Sequence, residues 1–310
     1  MNIAALSGGV GGAKLARGLA LVLPDGALTV VCNTGDDFEH LGLPISPDLD
    51  SVLYAMAGVS DEQRGWGRSN ETWSFMEAAR QLGLPDWFNL GDKDLALHIA
   101  RRQLLASGSN LTDVTAQLAS HLGVRQRLLP MSNAAVRTRL DTDAGLLDFQ
   151  DYFVRRRAEP RVKAVHFDGA STAAPPLSLG EWQPQLLIIC PSNPFLSIDP
   201  MLSIPAWRDW LRHRRCPCIA VSPIVGGRAL KGCAGKMLRE FGLDCNALSI
   251  ARHYGDVLDG IVIDELDRAL LPDIRALNLR AMATQTIMNS DADRASLARA
   301  VLTFGETLRT

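Results

Sequence analysis

Short apolar runs recur along this chain, and each ends at a glycine, proline, asparagine or aspartate. Strands that are buried on both faces of a parallel sheet read as continuous hydrophobic runs of this kind. The runs predict buried strands at residues 2–6, 28–32, 186–190, 219–222 and 261–264. Helical periodicity fills intervals between them, as at 13–23 and 48–57. The alternation predicts an α/β fold with a doubly wound, Rossmann-like, mostly parallel sheet.

The stretch from about residue 60 to residue 130 has a different pattern, with few β-branched runs and with helical spacing at 94–106 and 111–122. It predicts a helical insertion that forms one wall of a cleft, within a single α/β domain spanning residues 1–310. After it, residues 136–140 and 145–149 flank Asp141-Thr-Asp-Ala and predict a β-hairpin. Residues 161–167 are expected to return to the main sheet.

Composition narrows the class of protein. A hydrophobic share of 47%, a charged share of 21% and a net charge of −2 over 310 residues give no global attraction to nucleic acid or to an anionic membrane. No uncharged run reaches membrane-spanning length. We therefore expect a cytoplasmic protein with neither a nucleic-acid nor a membrane partner. Six scattered cysteines, several within apolar runs, are typical of buried, reduced thiols.

The first predicted strand runs into a glycine-rich segment, Ser7-Gly-Gly-Val-Gly-Gly-Ala-Lys14, and then into a helix. Glycines at 8, 9, 11 and 12 let the backbone turn sharply and approach a ligand, and the N–H groups that open the helix attract negative charge. Lys14 adds a full positive charge. The spacing fits neither Gly-x-Gly-x-x-Gly nor the P-loop. The segment predicts a phosphate site (Gly8, Gly9, Gly11, Gly12 and Lys14), and a tight turn without a ligand is the alternative.

Acidic residues follow the second predicted strand, in Asn33-Thr-Gly-Asp36-Asp37 and in Ser46-Pro-Asp48-Leu-Asp50. Adjacent carboxylates beside a phosphate site favour a hard divalent cation, because Mg²⁺ bridges one or two carboxylates to substrate phosphates. Asp36, Asp48 and Asp50 are the candidate ligands. Acids at 48 and 50 also suit the N-terminus of a helix, where they would cap N–H groups without binding a metal.

Other polar and aromatic side chains have two interpretations each. Asp94, His98 and Arg101 share one helix face, which either lines the cleft or is a solvated surface. The tryptophans of the insertion, Trp66, Trp73 and Trp87, either stack on a flat ligand or pack in the core. After later strands, Ser192, Asn193 and Ser222 either contact a nucleotide or form structural turns.

Several of these motifs occur together in one known family. The glycine segment and both acidic segments are followed by Arg64-Gly-Trp-Gly-Arg-Ser-Asn-Glu-Thr-Trp73, Leu90-Gly-Asp-Lys-Asp-Leu-Ala-Leu-His98, Pro191-Ser-Asn-Pro-Phe-Leu-Ser-Ile198 and Ser222-Pro-Ile-Val-Gly-Gly227. In this order the chain resembles the 2-phospho-L-lactate transferase family of deazaflavin coenzyme F-420 biosynthesis. The resemblance implies a homodimer that transfers a phosphorylated three-carbon acid from a guanosine diphosphate-linked donor to 7,8-didemethyl-8-hydroxy-5-deazariboflavin, with Mg²⁺ and release of GMP.

The resemblance also implies roles for single residues. The glycines and Lys14 would hold the diphosphate, with Ser192, Asn193 and Ser222 near the nucleotide, and Asp36 with Asp48 or Asp50 would hold Mg²⁺. Asp50 and Asp36 are the expected catalytic residues, with Asp50 orienting or deprotonating the acceptor hydroxyl. Asp50, Asn89 and Trp66 are the expected deazaflavin contacts, although some family members have lysine where this chain has Asn89.

Two other functions are compatible with a strand, a glycine turn and a helix. A nucleotide-sugar-binding regulator of similar fold would bind its ligand without turnover. A nicotinamide oxidoreductase is disfavoured, because the chain lacks Gly-x-Gly-x-x-Gly and has an Asp-Asp pair where a single acid is expected. The sequence does not distinguish a lactyl, an enolpyruvyl or a glyceryl donor.

Overall fold

Strands and helices alternate over residues 2–308, the part of the chain that the computed structural model describes. The strands are β1 (Ile3–Ser7), β2 (Leu28–Cys32), β3 (Phe38–His40), β4 (Leu43–Ile45), β5 (Arg127–Pro130), β6 (Arg137–Thr142), β7 (Gly145–Asp148), β8 (Val162–Asp168), β9 (Leu186–Ile189), β10 (Cys218–Val221), β11 (Ile224–Val225), β12 (Arg228–Ala229), β13 (Gly260–Asp264) and β14 (Arg280–Thr284). The helices are α1 (Gly9–Val22), α2 (Pro47–Ala57), α3 (Ser74–Gln81), α4 (Asp92–Ala106), α5 (Leu111–His121), α6 (Asp199–Leu202), α7 (Pro205–His213), α8 (Ala234–Glu240), α9 (Ala247–Tyr254), α10 (Leu271–Arg275) and α11 (Asp291–Glu306).

The main sheet has seven strands in the order β14-β13-β10-β9-β1-β2-β5, and every neighbouring pair is parallel. The predicted doubly wound fold is confirmed. Strand order reverses between β1 and β9, so the chain leaves the centre of the sheet first toward one edge and then toward the other. Ligands of such sheets bind beyond the carboxyl ends of the strands at this switch point.

Successive residues of the central strands pack on opposite faces of the sheet. Ile3 and Ala5 of β1 join one buried cluster with α1, α2 and α11, whereas Ala4 and Leu6 join the other with α7, α8 and α9. Period-two alternation of side chains requires this division, and it explains why both faces of the strand are apolar. The two cores hold the loops after β1 and β9 rigidly at the switch point.

The predicted insertion contains α3, α4 and α5, but it ends in β5, an edge strand of the main sheet that the sequence pattern did not reveal. The predicted hairpin is present as β6 and β7. The expectation that residues 161–167 return to the main sheet is wrong, because β8 pairs antiparallel with β6 in a separate three-stranded sheet. From Val165 to Asp168 its side chains alternate between half-buried and exposed, as in a strand with one solvated face.

Most of the cysteines are buried free thiols, as their apolar sequence context predicts. Cys32, Cys190, Cys218 and Cys233 are buried, and burial raises the pKa of the Cys190 and Cys218 thiols to about 12. Within residues 2–308, no helix combines the length and the apolar character needed to cross a bilayer.

Candidate active site

The glycine-rich segment after β1 packs directly against the loop after β9. A Cβ atom on Gly11 would lie 2.3 Å from the carbonyl oxygen of Pro191, and one on Gly12 would lie 2.3 Å from Ser192 Oγ. Gly9, the first residue of α1, has a φ of +61°. Glycine is therefore required here for close approach and for backbone conformation. Packing alone accounts for these glycines, and their contact with phosphate stays a prediction.

The polar side chains after β9 and β10 are engaged in turns. Ser192 Oγ donates to the carbonyl oxygen of Gly8 at 2.8 Å and accepts from its N–H at 3.1 Å. Asn193 Oδ1 accepts from the N–H of Phe195 at 3.0 Å. Ser222 Oγ bonds both the N–H and the carbonyl oxygen of Ile224 at 3.1 Å. All three residues therefore have structural roles, and nucleotide contact by any of them remains a prediction.

Two buried carboxylates, Asp36 and Asp48, share a single amide donor. Asn33 Nδ2 donates to Asp48 Oδ2 at 2.9 Å and to Asp36 Oδ1 at 3.3 Å. Burial, with the charge of Asp48 next in size, raises the pKa of Asp36 well above its ordinary value. Burial also raises the pKa of Asp48, although hydrogen bonds from Asn33 and from the backbone of Gly9 oppose the shift. We call Asp36 and Asp48 the acid pair. Its charge has no cationic partner among the ion pairs of residues 2–308.

Two buried oxygen atoms beside the acid pair, Thr34 Oγ1 and Asp37 Oδ1, have no hydrogen-bond partner among residues 2–308. Asp37 Oδ2 accepts a hydrogen bond from Ser46 Oγ at 2.9 Å. Burial raises the pKa of Asp37 to about 7, against the opposing effect of Arg137. Residues 2–308 contain no group of three His, Cys, Asp or Glu side chains placed to hold a metal by themselves. The oxygen-rich donors fit Mg²⁺ held by two carboxylates and completed by water and phosphate, which is how Mg²⁺ usually binds.

Asp50 lies in a different electrostatic setting from the acid pair. Arg101 Nη1 donates to Asp50 Oδ2 at 3.1 Å, and Arg101 Nη2 contacts Asp50 Oδ1. The two side chains are 1% and 5% exposed. Asp50 is thus already neutralised by a buried guanidinium, which contacts both of its oxygens and leaves each able to accept a second hydrogen bond. Of the three predicted metal ligands, only Asp50 forms an ion pair within residues 2–308, and metal binding by all three stays a prediction.

The polar stripe on α4 faces inward toward α2, so its interpretation as a solvated surface is wrong. Asp94, His98 and Arg101 are all buried. His98 Nδ1 lies 3.1 Å from Arg101 Nη1, His98 Nε2 lies 3.3 Å from Asp94 Oδ1, and Tyr54 Oη donates to Asp94 Oδ1. Although burial opposes it, hydrogen bonds from His98 and Tyr54 hold the pKa of Asp94 below its ordinary value. A continuous network therefore joins α2 to the insertion.

A second charged region lies over the first turns of α1. It contains Lys14, Arg17, Lys231 and Arg294, with Glu62 and Asp291 as its only carboxylates within the described part of the chain, and we call it the cationic pocket. Arg17 and Arg294 pair with these carboxylates. Lys14 Nζ donates to the carbonyl oxygen of Met288 at 2.7 Å.

The lysines of the cationic pocket lack carboxylate partners in residues 2–308. Burial, then Lys231 and Arg294, lowers the pKa of Lys14. Lys231 Nζ packs on Gly65, since a Cβ there would lie 2.0 Å from it. Like charges crowded in this way favour binding of an anion.

The predicted deazaflavin contacts other than Asp50 lie in separate places. Trp66 is 44% exposed and lines the cationic pocket, where the Arg64 guanidinium lies 5.2 Å from its ring and 4.9 Å from the ring of Trp73. Asn89 is exposed and its Oδ1 accepts from Arg80 at 3.1 Å. Trp66 therefore offers a flat surface beside the cations, and both deazaflavin contacts stay predictions.

Sequence reasoning missed residues that complete these regions. Lys231 comes just after a short hairpin, within the glycine-rich segment Gly226-Gly-Arg-Ala-Leu-Lys-Gly232. A lysine in a glycine-rich segment is the signal that could have marked it as a binding residue. Arg294 lies on α11, and its sequence context carries no distinguishing pattern. Asn33 precedes the Asp-Asp pair at the end of β2, where an amide could have been anticipated as a partner for carboxylates.

Comparison with known proteins finds a family model and relatives that match nearly the whole chain. It matches the family model "2-phospho-L-lactate transferase CofD" over residues 3–302. It is similar to a phosphoenolpyruvate transferase of Streptomyces griseus, at 37% identity over 100% of both chains. It is also similar to a 2-phospho-L-lactate transferase of Methanosarcina mazei, at 38% identity over 96% of this chain and 98% of that protein.

Solved structures agree with the fold. A crystal structure of a UPF0052 family protein from Bacillus halodurans superimposes with a TM-score of 0.62 at 16% identity, covering 97% of this chain and 98% of the other. A second crystal structure from the same organism gives a TM-score of 0.64 at 18% identity. At this identity the likeness shows the fold alone.

Proposed function

This chain belongs to the 2-phospho-L-lactate transferase CofD family, as its motifs predict, and from that premise we propose its reaction. It is accordingly an enzyme of the transferase class. The proposed reaction moves a phosphorylated three-carbon acid from a guanosine diphosphate-linked donor to the ribityl hydroxyl of 7,8-didemethyl-8-hydroxy-5-deazariboflavin. GMP is the leaving group, Mg²⁺ is the cofactor, and the enzyme acts as a cytoplasmic homodimer in coenzyme F-420 biosynthesis.

The observation that carries this proposal is the contact of two oppositely charged regions with the start of α1. Asp48 of the acid pair hydrogen-bonds the backbone of Gly9, and Lys14 of the cationic pocket lies just over one turn further on. On α2, Asp48 and the pocket residue Ser51 are one turn apart. Among residues 2–308 the acid pair forms no ion pair with a cation, and the two lysines of the cationic pocket form none with a carboxylate. A magnesium diphosphate would supply a cation and an anion at once.

Phosphoryl transfer requires mainly positioning and charge neutralisation from the protein. The acceptor oxygen forms a bond to the donor phosphorus as the bond from that phosphorus to the GMP oxygen breaks, and the hydroxyl proton is released to water. Lys14 and Lys231 would bind the diphosphate and neutralise its charge in the bound donor. Asp50, fixed by Arg101, would accept a hydrogen bond from the attacking hydroxyl. Mg²⁺, held by Asp36 and Asp48, would neutralise phosphate oxygens in the transition state.

Relatives named for two donors resemble this chain almost equally, at 37% and 38% identity. The proposed donor is therefore of the phosphoenolpyruvyl or the 2-phospholactyl type. The two acids differ by a few atoms around one carbon. One or two side chains near the donor would suffice to separate them.

A turnover assay tests the proposal. The deazariboflavin acceptor is combined with each guanylylated three-carbon acid in turn, with Mg²⁺ or with EDTA, and GMP and the phosphorylated deazaflavin are quantified. We expect equal amounts of both products with one donor, and none in EDTA. Tight nucleotide binding without GMP from any donor would instead indicate a nucleotide-binding regulator of the same fold.

A further inference from the structure

Arg101 is fixed from several sides, and its contact with Asp50 is only one of them. Arg101 Nη1 also donates to the carbonyl oxygen of Pro44 at 3.3 Å and lies 3.1 Å from His98 Nδ1. His98 is in turn held by Asp94, which accepts from Tyr54. A planar guanidinium with so many contacts fixes the orientation of the carboxylate that it binds.

We propose that Arg101 is a positioning residue that keeps Asp50 directed at the acceptor and outside the coordination shell of a metal held by Asp36 and Asp48. The inference rests on the proposed function for the identity of the acceptor. The part of the inference that excludes Asp50 from the metal ligands does not depend on the proposed reaction.

The charges of the described residues support separate roles for Asp50 and the acid pair. Asp36 and Asp48 share one neutral amide donor, whereas Asp50 has a complete cationic partner. Recruiting Asp50 to a metal would leave the guanidinium of Arg101, 1% exposed, without its carboxylate. An uncompensated buried charge of that kind is strongly unfavourable. Asp50 therefore remains with Arg101 when the metal binds.

The network also assigns a role to the insertion. Asp50 and Tyr54 lie one turn apart on α2, and Asp94, His98 and Arg101 lie on the facing side of α4. Any shift of α4 moves Arg101 and with it the carboxylate of Asp50. The insertion thus sets the position of the group that meets the acceptor, without contributing that group itself.

Two sets of variants test the inference. Arg101→Lys keeps the positive charge but loses the two guanidinium nitrogens that contact both oxygens of Asp50. Arg102→Lys is the matched control, because Arg102 is the exposed neighbour on the same helix. The double variant Asp50→Asn with Arg101→Gln removes the ion pair without changing net charge. Turnover kinetics are measured for all of them. Binding of Mn²⁺, a paramagnetic substitute for Mg²⁺, is followed by electron paramagnetic resonance in the presence of GDP.

We expect Arg101→Lys to lower kcat about tenfold with the donor KM within twofold, since orientation is lost while charge is kept. Arg102→Lys should change neither value. The double variant should lose turnover by about a hundredfold or more yet bind Mn²⁺ within twofold of the wild type. A tenfold loss of Mn²⁺ affinity in the double variant would overturn the inference, as would an unchanged kcat in Arg101→Lys.

Failure of the proposed function would be distinguishable from failure of this inference. A wild type that binds Mn²⁺ with GDP but releases no GMP from any donor contradicts the reaction. The Mn²⁺ titration of the double variant would still decide whether Asp50 is a metal ligand. A purely structural role of Arg101 would lower the melting temperature and leave kcat of the folded enzyme unchanged, which also counts against the inference.

Discussion

The acid pair and the cationic pocket meet the same end of α1 but differ in burial. Asp36 and Asp48 are 4% and 8% exposed, whereas Lys14 is partly buried and Lys231 is exposed. Unbalanced charge is costly in the interior and cheap at the surface. The acid pair therefore affects both folding and chemistry, whereas the pocket affects mainly the affinity for an anionic ligand. This difference sets the expected size of each effect below.

The largest effect is expected from Asp48→Asn. Loss of a metal ligand should lower kcat/KM about 1000-fold, because metal binding stabilises the transition state by several kcal/mol. The same change removes a buried, unpaired charge, so the melting temperature in EDTA should rise. Steady-state kinetics and thermal melts check the two parts. Asp244→Asn, at an exposed position, is the control, and an Asp48→Asn enzyme with wild-type kcat/KM would contradict the metal site.

Gly11→Ala tests what keeps the two regions together at the start of α1. The new Cβ would meet the Pro191 carbonyl oxygen at 2.3 Å, and a backbone atom cannot move aside cheaply. We expect a loss of about 2 kcal/mol of unfolding free energy, as for other overpacked sites. Gly180→Ala is the control, since nothing lies within 4 Å of its added methyl group. Denaturant titration measures both, and equal stabilities would show that this close packing is unimportant.

Lys231→Met tests the cationic pocket alone. Loss of one charge-assisted contact should raise the donor KM roughly tenfold to thirtyfold and leave kcat within about threefold. Stability should hardly change, because Lys231 is exposed. Lys163→Met on β8 serves as the control for loss of an exposed lysine. A donor KM that stays at the wild-type value would separate the pocket from the donor site.

Taken per pH unit, the pH dependence of stability gives the smallest expected effect. Burial raises the pKa of Asp36, Asp48 and Asp37, the last to about 7, so the folded protein holds these protons more tightly than the unfolded chain. The free energy of unfolding in EDTA should therefore fall as pH rises from the ordinary aspartate pKa toward 7, by about 1 kcal/mol for each pH unit. Melting between pH 5 and 7.5 tests this. The dependence of unfolding free energy on pH should be weaker in Asp48→Asn than in the wild type. A steeper dependence in that variant would contradict this prediction.

The fold could be predicted from the sequence where a strand is a continuous run of apolar residues. Central strands such as β1 and β9 are continuous apolar runs, so their pattern identifies them. The edge strands β5 and β14 carry Arg127 and Arg280 and have no such pattern, because their position in the sheet depends on distant pairing. Strand β8 alternates between half-buried and exposed side chains only from Val165 to Asp168, and its apolar content alone does not reveal that it pairs in a separate sheet.

The sequence predicted several of the residues of the candidate site, but not which of their side chains pair with one another. The acids of the Asp-Asp and Ser-Pro-Asp-Leu-Asp segments are there, but sequence spacing could not reveal that Arg101, 51 residues from Asp50, neutralises one of them. Likewise Lys231 and Arg294 reach Lys14 only through the tertiary fold. Charge pairing across long sequence separations depends on how α4 meets α2, and on how α11 and the loop after β12 meet α1, which local patterns do not encode.

The most direct test of the central claim is calorimetric titration of the wild-type protein with GDP, with and without Mg²⁺. If one magnesium diphosphate satisfies both the acid pair and the cationic pocket, Mg²⁺ should strengthen GDP binding by about tenfold or more, and GDP should strengthen Mg²⁺ binding equally. That coupling should disappear in Asp48→Asn. Equal GDP affinity with Mg²⁺ and with EDTA in the wild type would contradict the claim that the two regions form one site.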